Sequence, residues 1–197
     1  TRSFSDLDNV QSMAMRVAPR LLFGDSPYGM TSTGTTESVT SLTPAEISGF
    51  CTGRYGPADS VLILAGDITR AEAERLAGQY FGGWTGRAVA TASAPPAPAP
   101  PSTHVVIIDK PGAPQTAIGA LGLGVPASSP DADTLDVLNY TLGGSFGSRI
   151  NMNLREVHGY TYGAFSGFMN YREGGMFYAI SLVRTDVTGP AAKEMMN

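Results

Sequence analysis

A chain of 197 residues, 42% of them hydrophobic, can bury a core as one ordinary domain or two small ones. Its formal net charge of −4, with only 13 lysines and arginines and no basic stripe among them, excludes a nucleic-acid surface. Cys51 is the only cysteine, so an intrachain disulfide is ruled out, and no apolar run approaches the ~20 residues of a membrane-spanning helix.

In chain order, residues 4–23 place apolar side chains at helical spacing from Phe4 through Val10, Met13, Val17 and Leu21, with a break or kink expected near Pro19. Residues 25–41 are rich in Gly, Ser and Thr and read as loop. Thr43-Pro44-Ala45-Glu46 is a helix start, with Thr43 as cap and Glu46 completing the capping box, and Gly56-Pro57 is the stop. Cys51 on that helix reads as a small core residue. Ser60–Asp67 is too continuously apolar for a wet face and predicts a buried strand. Thr69 then caps a helix from Arg70 to about Tyr80.

Residues 88–102 are a Pro/Ala-rich linker. Proline density there favours extended polyproline geometry, a semi-rigid strap reaching roughly 45 Å. Beyond it, strands are predicted at Val105–Asp109 and Gln115–Gly122, then helices at Asp131–Leu142 and Ser148–Val157. Asp131, Asp133 and Asp136 read as N-terminal caps and dipole partners of the first of these. Two further strands, Tyr160–Asn170 and Gly175–Arg184, alternate with a period of two. The mix predicts an α+β fold, a mainly antiparallel sheet flanked by helices. The chain has no initiator Met and ends at Met196-Asn197 inside a starting helix, so it is expected to be a piece of a longer protein.

Chemistry concentrates between Leu142 and Gly163. Gly143-Gly144-Ser145-Phe146-Gly147 lies between two predicted helices and lacks the Lys-Ser/Thr of a phosphate loop. It reads as a helix stop followed by a cap at Ser148; the alternative is a backbone-exposing loop that touches extended peptide. Gly159 can end the next helix in left-handed geometry, starting a strand beside its last turn. Arg155 and a tyrosine from Tyr160 or Tyr162 could then offer charge-assisted donors to a carbonyl oxygen or a developing oxyanion. Chemistry alone favours the plainer account: an arginine near a helix C-terminus suits the dipole, and tyrosines suit sheets. His104 and His158, the only histidines, lie in different segments without a carboxylate at ligand spacing, so no metal site is expected in this chain.

Three stretches resemble the insulinase, pitrilysin and mitochondrial processing peptidase superfamily of zinc peptidases. Ser26-Pro27-Tyr28-Gly29, Leu42-Thr43 and Tyr55-Gly56-Pro57 leading into Gly66-Asp67 are similar to the end of one family repeat. Tyr80-Phe81-Gly82-Gly83-Trp84 matches the usual close of the next helix. Asp131–Gly144, Ser148-Arg149-Ile150, Leu154-Arg155-Glu156 and Gly159-Tyr160-Thr161-Tyr162 resemble the opening of the following repeat. The likeness covers most of the chain outside the linker. It implies a two-layer domain of the metallopeptidase LuxS/processing-peptidase type. Residues 1–87 would be the C-terminal part of one repeat and 103–197 the N-terminal part of the next, packing together as one composite domain.

In the family, one domain holds zinc on an inverted His-x-x-Glu-His helix, and another domain or subunit contributes an arginine and, seven positions on, a tyrosine. Arg155 and Tyr162 have that spacing, while Tyr160 falls two short. Gly143, Gly144, Ser145 and Phe146 fall where the processing peptidase's non-catalytic subunit carries a longer substrate-recognition loop. The zinc motif is missing, so the resemblance implies the non-catalytic ("inactive") domain or subunit of a zinc metalloendopeptidase, inactive alone, or a fragment that has lost an upstream zinc motif. It would bind extended peptide, with zinc on a partner domain or subunit. The alternative is a purely structural core subunit of a larger complex. A bacterial protein is expected, periplasmic or cytoplasmic, the periplasm slightly favoured.

Overall fold

A computed structural model describes residues 9–86 and 102–197. The linker predicted at 88–102 therefore lies outside the described residues but for Ser102. The described chain divides into two compact units, one from residues 9–33 and 102–197 and the other from 34–86.

The larger unit is built on a sheet of β1 (Gln115–Gly124), β2 (Thr161–Asn170) and β3 (Gly175–Arg184), in the order β1-β3-β2 with both pairings antiparallel. β1 lies in register with β3 from Gln115 opposite Arg184 to Gly124 opposite Gly175. The β2–β3 hairpin closes over Tyr171–Gly174, where the Tyr171 N–H donates to the Gly174 carbonyl at 2.8 Å. The pairing predicts which face each side chain takes, and the core follows it. Ile118, Ala164 and Val183 pack with Leu154 and Ala191 from the helices on one face. Met176, Leu123 and Met169 pack on the other face against Ala18 and Phe23.

That second face is covered near the hairpin by α1 (Val10–Phe23), capped by Asn9, whose side chain accepts from Gln11 N and Ser12 N. α1 runs unbroken through Pro19. Phe23, 6% exposed, anchors the turn beyond it by meeting Tyr28 and Tyr171 edge-on, while those two rings stack at 4.8 Å. On the first face lie α5 (Ala132–Asn139), α6 (Arg149–Asn151) and α7 (Thr188–Met196). Asp131 makes no side-chain cap bond to α5, its backbone being helical where a capping residue is ordinarily extended, so the capping role read for it is corrected. The α+β class and antiparallel sheet are as read from the sequence.

In the smaller unit, α2 (Thr36–Ser41) falls in the segment read as loop. Thr35 and Ser38 cap each other there, a reciprocal bond formed by two short hydroxyls that composition alone reads as turn. The capping box of α3 (Pro44–Arg54) is as expected, and the Thr43 hydroxyl and N–H hold the Glu46 carboxylate below its ordinary range. Thr69 caps α4 (Arg70–Phe81). Two expectations fail here. Cys51 is exposed rather than in a core, since α3 buries none of its residues. Ser60–Asp67 forms no ladder, with Val61 85% and Ile63 83% exposed. In the larger unit Val105–Asp109 is likewise outside the sheet, with Ile107 87% exposed. Apolar composition favours a strand, but a strand is buried only by neighbours laid beside and over it.

Candidate functional site

The glycine segment is a widened helix end. From α5 the chain runs into a π-helical turn, Tyr140–Gly144, before extending at Ser145. Gly143 meets β2 so closely that a Cβ there would stand 2.5 Å from Ser166 N and 2.7 Å from Ser166 Cβ. Beside it Asn139, 7% exposed, donates from Nδ2 to the Ser166 carbonyl at 2.9 Å and accepts from Ser166 Oγ at 2.5 Å. A Cβ at Gly144 would crowd Asn139, and the Ser145 hydroxyl donates back to the Tyr140 carbonyl at 3.1 Å. Phe146 stands out at the tip, 64% exposed. Ser148 occupies the cap position of α6, but its buried Oγ bonds nothing among the described residues.

Below the tip, Asn151 is fully buried. Its Nδ2 donates to the Phe146 carbonyl at 2.6 Å and its Oδ1 accepts from the Ala164 N–H at 3.0 Å. α6 then passes into a second π-helical turn, Met152–Val157, where the His158 N–H reaches back five residues to the Asn153 carbonyl at 3.1 Å. Gly159, at φ 62°, ends it as predicted, and the Tyr160 N–H donates to the Leu154 carbonyl at 2.9 Å. Such wide turns insert a residue and rotate the chain downstream of them, and they recur at functional sites.

Arg155 lies in this second turn, its side chain 32% exposed. The guanidinium carbon sits 4.3 Å from the Phe146 ring centroid, within cation–π range. Nε is 3.5 Å from Glu156 Oε1. Nη1 is buried and hydrogen-bonded to nothing among the described residues. A buried charged donor without an acceptor is costly.

Tyr162 is 92% exposed, at a bulge where β2 changes register between Thr161 and Ala164. Thr161 Oγ1 accepts from the Gly163 N–H at 3.1 Å and lies 2.5 Å from the Leu182 carbonyl, while Ser181 Oγ donates to the Gly163 carbonyl at 3.0 Å. With Phe165, Ile180 and Leu182, Tyr162 lines an open groove of about 350 Å³. Phe165 and Ile180 are register partners, so the groove lies on the opposite face from Ala164. Arg155 does not line this groove, and no hydrogen bond joins it to Tyr162. Tyr160 instead stacks on His158 at 5.0 Å and packs against the core, a structural aromatic. Sequence does not single out the two asparagines; only their flanking of the glycine segment could mark them.

Residues 41–197 match the family model described as Peptidase M16 inactive domain. The chain belongs to the M16 peptidase family. This M16 chain is 32% identical over 158 residues to an uncharacterized zinc protease of Mycobacterium leprae, covering 78% of the chain and 35% of that relative. A second such protein, from Mycobacterium tuberculosis, is 28% identical over 157 residues, with the same coverage of 78% and 35%. The chain therefore spans about a third of the length of these relatives. Among solved structures, the peptidase M16 inactive domain from Pseudomonas fluorescens is 27% identical with a TM-score of 0.81, over 97% of this chain and 46% of that one. A protease from Helicobacter pylori shares the fold at 21% identity and a TM-score of 0.76, covering 97% and 50%.

The named relatives are zinc proteases. Among the described residues no group of three His, Cys, Asp or Glu side chains could hold an ion. His158 Nε2 lies 3.6 Å from Glu194 Oε2, and Asn153 Nδ2 donates to that same oxygen at 3.2 Å, a pair with no third ligand. His104 faces Ser102. These residues do not fit zinc. No helix of the described residues is long and apolar enough to cross a membrane.

Proposed function

We propose that this chain is the non-catalytic part of a zinc metalloendopeptidase, binding extended peptide and lending Arg155 and Tyr162 to a zinc site held on another domain or chain. The observation that carries the reading is the partly exposed guanidinium of Arg155, held over the Phe146 ring with Nη1 making no hydrogen bond among the described residues. A cation so placed gains more from a carbonyl oxygen as negative charge builds on it than from the neutral ground state, which is what lowers a barrier. The exposed phenol of Tyr162 adds a second donor. Membership of a family whose named relatives are zinc proteases supports the peptide class.

The test is peptide hydrolysis by the full-length protein together with whatever domain or subunit supplies zinc. Arg155→Ala is expected to lower turnover by about 10²-fold and Tyr162→Phe by less, with zinc content unchanged. Undiminished cleavage by both variants would remove the assignment.

A further inference from the structure

From sequence, Phe146 reads with the glycine segment as a substrate contact, and Asn151 carries no role. Their geometry points elsewhere. An exposed phenylalanine at a loop tip ordinarily gains nothing from a fixed position, yet here both its backbone and its ring are engaged. The Phe146 carbonyl is held by a fully buried amide at 2.6 Å, and that amide's oxygen is held by the Ala164 N–H at 3.0 Å. The ring is occupied on one face by the Arg155 guanidinium at 4.3 Å. The contacts therefore form one chain, from β2 through Asn151 and Phe146 to Arg155.

We infer that Asn151 and Phe146 are positioning residues for Arg155. The inference rests on the peptide-binding reading above. Stacking uses the face of a guanidinium and leaves its N–H groups free in the plane, so the ring can fix orientation without consuming donors. The consequence here is Nη1, oriented but unbonded. Glu156, at 3.5 Å from Nε, steadies the other edge. The anchor point has its own significance, because Ala164 lies two residues after Tyr162 on the same strand. Asn151 thereby references the arginine's platform to the strand that carries the tyrosine, across a bulge that would otherwise leave their spacing loose. An asparagine is suited to this, since its amide donates and accepts at once; Asp or Ala at 151 loses one or both bonds.

The test uses the full-length protein, labelled with 15N in its arginine guanidinium groups. In the wild type the Arg155 Nε–H resonance should carry the ring-current shift of a group stacked on an aromatic face. Phe146→Leu, which keeps the apolar volume, should abolish that shift, and Phe146→Tyr should restore it. Asn151→Ala should diminish it. In peptide hydrolysis with the zinc-bearing partner, Phe146→Leu should lower kcat/KM about two- to fivefold, in line with an exposed cation–π contact. It should add nothing in an Arg155→Ala background, and Phe146→Tyr should again restore the rate. An Arg155 resonance indifferent to both substitutions overturns the positioning role, as does a full Phe146→Leu effect in the Arg155→Ala background. If the resonance responds as described while Arg155→Ala and Tyr162→Phe both cleave like wild type, the platform stands and the peptide-binding reading falls.

Discussion

Replacing Gly143 with alanine should destabilise the chain by about 2–6 kcal/mol. The added methyl would stand 2.5 Å from Ser166 N and 2.7 Å from Ser166 Cβ. Carbon contacts are comfortable at about 3.5–4.0 Å, so the π-helical turn and β2 must part by about 1 Å. Overpacking of this kind costs about 1–3 kcal/mol by itself. The same separation strains both bonds of the Asn139–Ser166 pair, 2.9 and 2.5 Å long and both buried, and each is worth about 0.5–1.5 kcal/mol net. Backbone geometry adds nothing, since Gly143 is not among the glycines with positive φ. The assay is urea denaturation followed by near-UV circular dichroism, with Gly147→Ala as the matched control. A Cβ at Gly147 would meet nothing within 4 Å, so that variant should stay within about 0.5 kcal/mol of wild type. If Gly143→Ala unfolds within about 0.5 kcal/mol of that control, the close approach of the glycine turn to β2 is wrong.

Two further outcomes concern the core. Leu154→Ala removes a fully buried side chain between the helices and Val183, and should cost about 2–5 kcal/mol in the same denaturation. The Tyr171 phenol is pushed up by burial and, secondarily, by the neighbouring Tyr28. The unfolded chain therefore releases that proton first. This contribution to stability is fully present below about pH 10 and is lost as pH rises through the raised folded value. Urea midpoints taken between about pH 8 and 11 should fall less steeply for Tyr171→Phe than for wild type; parallel curves would contradict the assigned burial.

Local chemistry is the part of the fold that can be read in advance. Thr43, Pro44 and Glu46 fix the start of α3 through bonds within four residues, and the alternation of β2 and β3 encodes their pairing. Gly159 ends its helix because few other residues accept φ 62°. Features set by distant partners are not legible. Whether a carbonyl bonds four or five residues on depends on what the helix packs against, so neither π-helical turn announces itself in the residues 140–144 or 152–157. Asn139 and Asn151 look like any surface asparagines until β2 is placed beside them. Ser60–Asp67 carries the composition of a buried strand, but composition cannot supply the neighbour that buries it. For the candidate site, the spacing of Arg155 and Tyr162 is visible in the sequence and the aromatic platform beneath Arg155 is not.

The two asparagines have a consequence for how anything could lie along β2. That strand is one of the two outer members of the three-stranded sheet, and an outer strand ordinarily offers its backbone to any extended chain that passes. Here the Ala164 N–H and the Ser166 carbonyl are already engaged by side-chain amides, and the Gly163 N–H and carbonyl by hydroxyls within the bulge. The rail on which a peptide would zip is occupied along its middle. A chain arriving along this stretch finds few free backbone groups by which it could be annexed as another strand. The same occupation denies a second copy of the chain a seam along that stretch of edge.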